Sequence, residues 1–88
     1  MARPTEQQLY RELVDAEFSF IERGIQHIDV IYDVVKGQCN DLCDDNYYCN
    51  HGNNQPEWKH VVRNAMQRVR KINDSINFTG NKGYWNFL

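Results

Sequence analysis

The chain contains no apolar run near the roughly 18 residues that a membrane helix requires, and MARPTEQQLY at its start has no hydrophobic signal core. Cysteine is scarce: three residues, an odd number and too few for a disulfide scaffold, which suits a reducing compartment. These shortages lead us to expect a soluble, cytoplasmic protein without a membrane partner. At 88 residues it can build one core, not two, so we expect a single domain over 1–88 and no deep catalytic cleft. What it does have is aromatic bulk, 12% of residues, in an otherwise ordinary globular composition with 25% charged side chains.

The net charge of −2 conceals an asymmetry. Residues 1–56 hold four basic and ten acidic groups, whereas 57–88 hold six basic and two acidic, giving −6 and +4. A polyanion would dock on the basic part. The alternative is that the acidic half neutralises the basic half within the molecule.

Residues 5–23 read as an N-terminal helix ending at Gly24, with Thr5 and Gln8 as a capping box. Leu9, Leu13, Ala16 and Phe20 follow one face, and Tyr10, Val14, Phe18 and Ile21 widen it beyond what one contact needs, so a homodimer surface stays open. A shorter helix is predicted from Asp29 to Lys36, stopped by Gly37. Residues 38–55 lose the periodicity and read as a loop rich in Cys, Asn and Asp, with one helical turn around Cys39–Cys43. Over 56–73 the pattern returns strongly. Asn54 can cap, Pro56 fits the first turn, and Trp58, Val61, Val62, Ala65, Met66, Val69 and Ile72 form one stripe. The opposite face is polar and free of acid: Lys59, His60, Arg63, Asn64, Gln67, Arg70 and Lys71, with Arg68 at its edge. From 75 to 87 the period becomes two, and Gly80-Asn81-Lys82-Gly83 separates two short aromatic or β-branched runs, the signature of a β-hairpin.

Three helices and a hairpin define an α+β, mostly α class, and their order is that of a winged helix: a helix-turn-helix core with a C-terminal hairpin wing. In that fold the third helix lies in the major groove of double-stranded DNA and the wing touches the backbone. Arg63, Asn64 and Gln67 are able to pair with base edges. Lys59, Arg68, Arg70, Lys71 and Lys82 suit phosphates, and His60 and Asn81 complete the candidate surface.

PEWKHVVRNAMQRVRKIND followed by GNKGYWNF resembles the winged-helix domain at the N-terminus of Mrr-type and related restriction endonucleases, and HIDVIYDVVK is similar to the helix before it. The resemblance covers roughly residues 25–88. Arg63 takes the place of the family's helix arginine, Ala65 and Met66 of its alanine–leucine pair, and Lys82–Gly83 of its arginine–glycine. Asn64 departs from an aromatic and Asn73–Asp74 from Ala-Gly, and we expect no nuclease domain alongside it. The resemblance implies a DNA-binding part without the cutting part. A protein-interaction module, or an inhibitor docking on a nucleic-acid enzyme such as a nuclease, is the competing reading, favoured by the acidic half.

Cys39, Cys43, Cys49 and His51 are spaced C-x3-C-x5-C-x-H, a donor set that can hold a structural zinc ion. The spacing matches no standard zinc pair, and Cys39 and Cys43 serve equally as small buried apolar groups. Asp44 and Asp45 read as turn hydrogen-bonders. For catalysis there is no G-x-S-x-G, phosphate-binding glycine loop or H-E-x-x-H, and His27 and His60 stand alone, so no enzyme is expected.

Overall fold

A computed structural model describes residues 3–48 and 55–88. The class is α+β and mostly helical, in the order α1 (Pro4–Ala16), β1 (Gly24–His27), α2 (Ile28–Gln38), a 3-10 turn (Asn40–Leu42), α3 (Glu57–Asn73), β2 (Ile76–Phe78) and β3 (Tyr84–Phe87). The sheet is antiparallel with strand order β1-β3-β2. The core is one cluster to which every helix contributes: Leu9 and Leu13 from α1, Ile31 and Val35 from α2, Trp58, Val62, Ala65, Met66 and Val69 from α3. Ile76 and Phe87 close it from the sheet.

Several sequence expectations need correction. The first helix ends at Ala16, because Glu17 and Phe18 both take left-handed backbone, φ 51° and 54°. That conformation costs a non-glycine residue about 1–2 kcal/mol, and here tertiary contacts offset it. Phe18 is fully buried, and the Arg23 guanidinium donates to the Phe18 carbonyl at 2.6 Å and the Ile21 carbonyl at 2.6 Å. It also reaches the Leu88 carbonyl at 3.2 Å. Phe18 and Ile21 therefore enter the core from turns, while Tyr10, Val14 and Phe20 pack around it, and the excess apolar width of the first segment is used inside the molecule.

The same helix begins at Pro4 rather than being capped by Thr5, since proline supplies the helical φ and its missing amide is one that the first turn would leave unpaired. Arg3 precedes it and holds the buried Glu6 through two contacts, Nε–Oε1 at 2.7 Å and Nη2–Oε2 at 3.0 Å.

The second correction is β1, absent from the sequence reading. It leads directly into α2, whose first turn is capped by His27: its Nδ1 accepts from the Asp29 amide at 3.1 Å. The helix then runs through Gly37 to Gln38, because Gly37 keeps a helical φ and open space lies where a Cβ would stand.

Thirdly, α3 is preceded by Pro56 at the cap position, without a side-chain cap; Asn54, expected there, lies outside the described residues. Its apolar stripe is buried except for Ile72, which is 52% exposed near the C-terminal end. The helix stops at Asp74 in left-handed backbone, with Arg70 and Lys71 in its last turn where the negative end of the helix dipole favours cations.

Candidate nucleic-acid interface

The stripe of α3 fixes where its other side chains go. With Trp58, Val62, Ala65 and Val69 turned to the core, a 100° step per residue sends Arg63, Gln67 and Arg70 to one outward row and His60, Asn64 and Lys71 to the next. Gln67, Arg68, Arg70 and Lys71 are exposed, and Lys59, His60 and Arg63 are half-buried. The two rows diverge. Asn64 borders a concavity between α1 and α3 together with Gln7 and Tyr10. Arg63 faces the other side, toward α2 and the hairpin.

There Arg63 faces the β2–β3 hairpin across a groove. The turn after β2 folds back so that the Gly83 carbonyl accepts the Ile28 amide at 2.7 Å, which pins the hairpin tip to the start of α2. A Cβ at Gly83 would come within 3.1 Å of His27 Nε2, and its φ of 84° is left-handed, so glycine is required twice over. Between this tip and α3 lies a groove of about 370 Å³, lined by Arg63, Lys82, Phe78, Trp85, Gln55 and Asp29 among others. Phe78 and Trp85 are paired across β2 and β3 and meet edge to face, ring centroids 5.2 Å apart. Phe78 remains 44% exposed.

The electrostatics separate the two halves of the chain. Ion pairs among the described residues join Arg3 to Glu6 and Asp44, His27 to Asp29, and Lys36 to Asp45. None of Arg63, Arg68, Arg70, Lys71 and Lys82 pairs with a described acid. Arg63 has a different partner, His60, with Nη2 3.0 Å from Nδ1, and Lys59 Nζ sits 5.1 Å from the Tyr32 ring centroid and 5.8 Å from that of Trp58. Lys59 is thus partly engaged in packing through its stem and charge, whereas Lys71 and Lys82 project freely enough to be exposed. Asn81 is exposed in the hairpin turn, where its amide donates to Thr79 Oγ1 at 3.2 Å.

The cysteine segment divides. Cys43 is 6% exposed and belongs to the core, with its thiol pushed up to about 12 by burial, reinforced by Cys39 and opposed by Lys36. Burial also raises Cys39, which is half-buried. Cys49 and His51 lie outside the described residues. Among the described residues no group of three or more His, Cys, Asp or Glu is placed to hold a metal ion.

Asp44 and Asp45 do more than shape a turn. Asp44 Oδ1 accepts the Asn46 amide at 2.9 Å while Oδ2 takes Arg3 Nη2 at 3.0 Å, and Asp45 reaches α3 through Trp58. The groove's Gln55, Phe78 and Asp29 were not foreseen as site residues; the alternation that placed Phe78 on the hairpin was the one signal that pointed there.

No protein-family model matches this chain, and neither does any curated protein or solved structure.

Proposed function

We propose that this chain is a winged-helix DNA-binding domain without catalytic activity, similar to the N-terminal domain of Mrr-type restriction endonucleases. In this reading α3 enters the major groove and the β2–β3 hairpin lies on the backbone. The observation that carries it is the convergence of Arg63 on α3 and Lys82 on the hairpin turn upon one groove, with neither charge matched by a described acid. The β2–β3 hairpin follows α3 directly in the chain and β2 packs against that helix, which supports the reading.

Arg63 and Gln67, one helical turn apart, are the base readers in this reading. Arg68, Arg70, Lys71 and Lys82 neutralise phosphates. Asn64 contributes less than its neighbours, because it borders α1.

The test is a titration of labelled duplex DNA at several salt concentrations. Phosphate neutralisation lowers log K linearly with log salt, by about 0.9 per phosphate engaged. Absence of binding at low salt overturns the reading and leaves docking on a protein as the alternative.

A further inference from the structure

The groove between α3 and the hairpin tip holds more than two cations. Its wall carries the Phe78–Trp85 pair, whose rings contribute apolar surface to an opening next to solvent. Gly80 adds space, as nothing stands within 4 Å of where its Cβ would be. A further lining residue is Gln55, whose Oε1 is buried and accepts no hydrogen bond from the protein. A buried acceptor without a donor is unfavourable, and a ligand N–H removes that penalty when the Gln55 amide turns its oxygen into the groove. Asp29 is the one acid among the described lining residues, its side chain 79% exposed at the start of α2, against two cations, Arg63 and Lys82.

We propose that this groove receives a single unstacked nucleobase of a DNA strand, its ring against Phe78 and Trp85, an exocyclic amine donating to Gln55 Oε1, and the adjoining phosphate held by Lys82. The chemistry selects the occupant. Aromatic walls accept the face of any base, an orphan acceptor selects those with an exocyclic amine (adenine, cytosine and guanine, not thymine), and the cation of Lys82, matched by no described acid, fits the backbone. The volume of about 370 Å³ lies in the lower range of pockets that hold small ligands, roughly 300–1,000 Å³. This proposal rests on the DNA-binding reading and adds to it a preference for DNA in which one base is already out of the stack, where the energy of unstacking need not be supplied by the protein.

The experiment compares three labelled duplexes of about two helical turns: fully paired, with one bulged adenine, and with the same bulge carrying an abasic sugar. The whole chain should bind the adenine bulge about tenfold more tightly than either of the others, and in a fourth duplex a bulged thymine should fall between adenine and the abasic site. Gln55→Leu should abolish the preference for adenine over thymine, and Phe78→Ala, at a side chain already half in solvent, should abolish the preference for a base over none. Lys71→Ala should leave both preferences unchanged while weakening all three complexes. Equal affinity for the adenine and abasic bulges overturns this proposal even if paired duplex binds in a salt-dependent way. Strong base-dependent binding of the bulge without binding of paired duplex upholds it and overturns the major-groove reading. No binding of any of the three overturns both.

Discussion

The indole Nε1 of Trp58 donates a hydrogen bond to Asp45 Oδ1 at 2.9 Å, joining the first turn of α3 to the segment that follows α2. The other carboxylate oxygen of Asp45 pairs with Lys36. One acid thereby links α2, the intervening loop and α3, and the Glu57 amide adds a second tie by donating to the Tyr47 carbonyl at 2.8 Å. Trp58 is 2% exposed and packs edge-on against Tyr32, ring centroids 5.6 Å apart, so Asp45 is the protein acceptor of a nearly buried indole N–H.

From this follows an ordering of variants. Asp45→Ala should lower stability by about 1–3 kcal/mol, because it strands a buried donor. Asp45→Asn keeps the acceptor and loses only the half-exposed ion pair with Lys36, a cost of about 0–1 kcal/mol. Urea denaturation of the two variants checks this, and equal losses would assign the effect to the charge rather than to the indole.

Acid should loosen the same region through Asp44. The Asn46 amide and, next, the Arg3 guanidinium hold its carboxyl below the usual carboxylate range. A carboxyl whose folded-state value is depressed binds fewer protons than in the unfolded chain. Its contribution is thus fully present above the ordinary value near ~4 and lost as pH falls through the lower folded-state value. Denaturation midpoints measured from pH 6 down to pH 2 should show a falling component below about pH 4 that is reduced in Asp44→Asn.

The sequence revealed α3 and the hairpin because both are written in local periodicity, seven apolar residues at helical spacing and then an alternation around a Gly/Asn turn. It did not reveal β1: Gly24–His27 is four residues long, and its partner β3 lies some sixty positions away. Nor did it show where α1 ends, because Phe18, Phe20 and Ile21 continue the apolar spacing. The break there is made by Arg23 capturing the Phe18 and Ile21 carbonyls. The candidate surface divides similarly. Its cations were legible as an acid-free helix face, but the groove beside them arises from Gly83 docking on Ile28, a contact between residues 55 positions apart that no local pattern encodes.

Cys43 offers a chemical check on the core. Its thiol, pushed up to about 12, is almost wholly protonated at pH 8, and the thiolate is the species that alkylates. Iodoacetamide labelling of native protein, mapped by mass spectrometry, should leave Cys43 unmodified for far longer than in denatured protein. Protection by burial survives a chelator, whereas a zinc ion on Cys43 would require the thiolate and make the protection chelator-sensitive. We expect the protection to survive.

The α3 face should divide into two kinds of variant. Gln67 is exposed and Arg63 touches His60 and the groove rather than the apolar stripe. Alanine at Gln67 should therefore change stability by no more than about 0.5 kcal/mol. If these side chains read base edges, Arg63→Ala and Gln67→Ala should each cost about 1–3 kcal/mol against a preferred duplex and less against random sequence. Lys71→Ala and Lys82→Ala remove exposed charges without base contacts, so they should weaken all duplexes alike and flatten the salt dependence, by about 0.9 in the log–log slope for each phosphate lost. Asn64→Ala serves as the internal control: its place beside α1 predicts a smaller effect than Gln67→Ala, although the two lie three residues apart on one helix. Affinities measured across these five variants on specific and random duplex decide the matter. Should Asn64→Ala and changes at Gln7 or Tyr10 prove the damaging ones while Arg63→Ala and Lys82→Ala bind as the parent does, the α1–α3 side is the working surface and the major-groove reading falls.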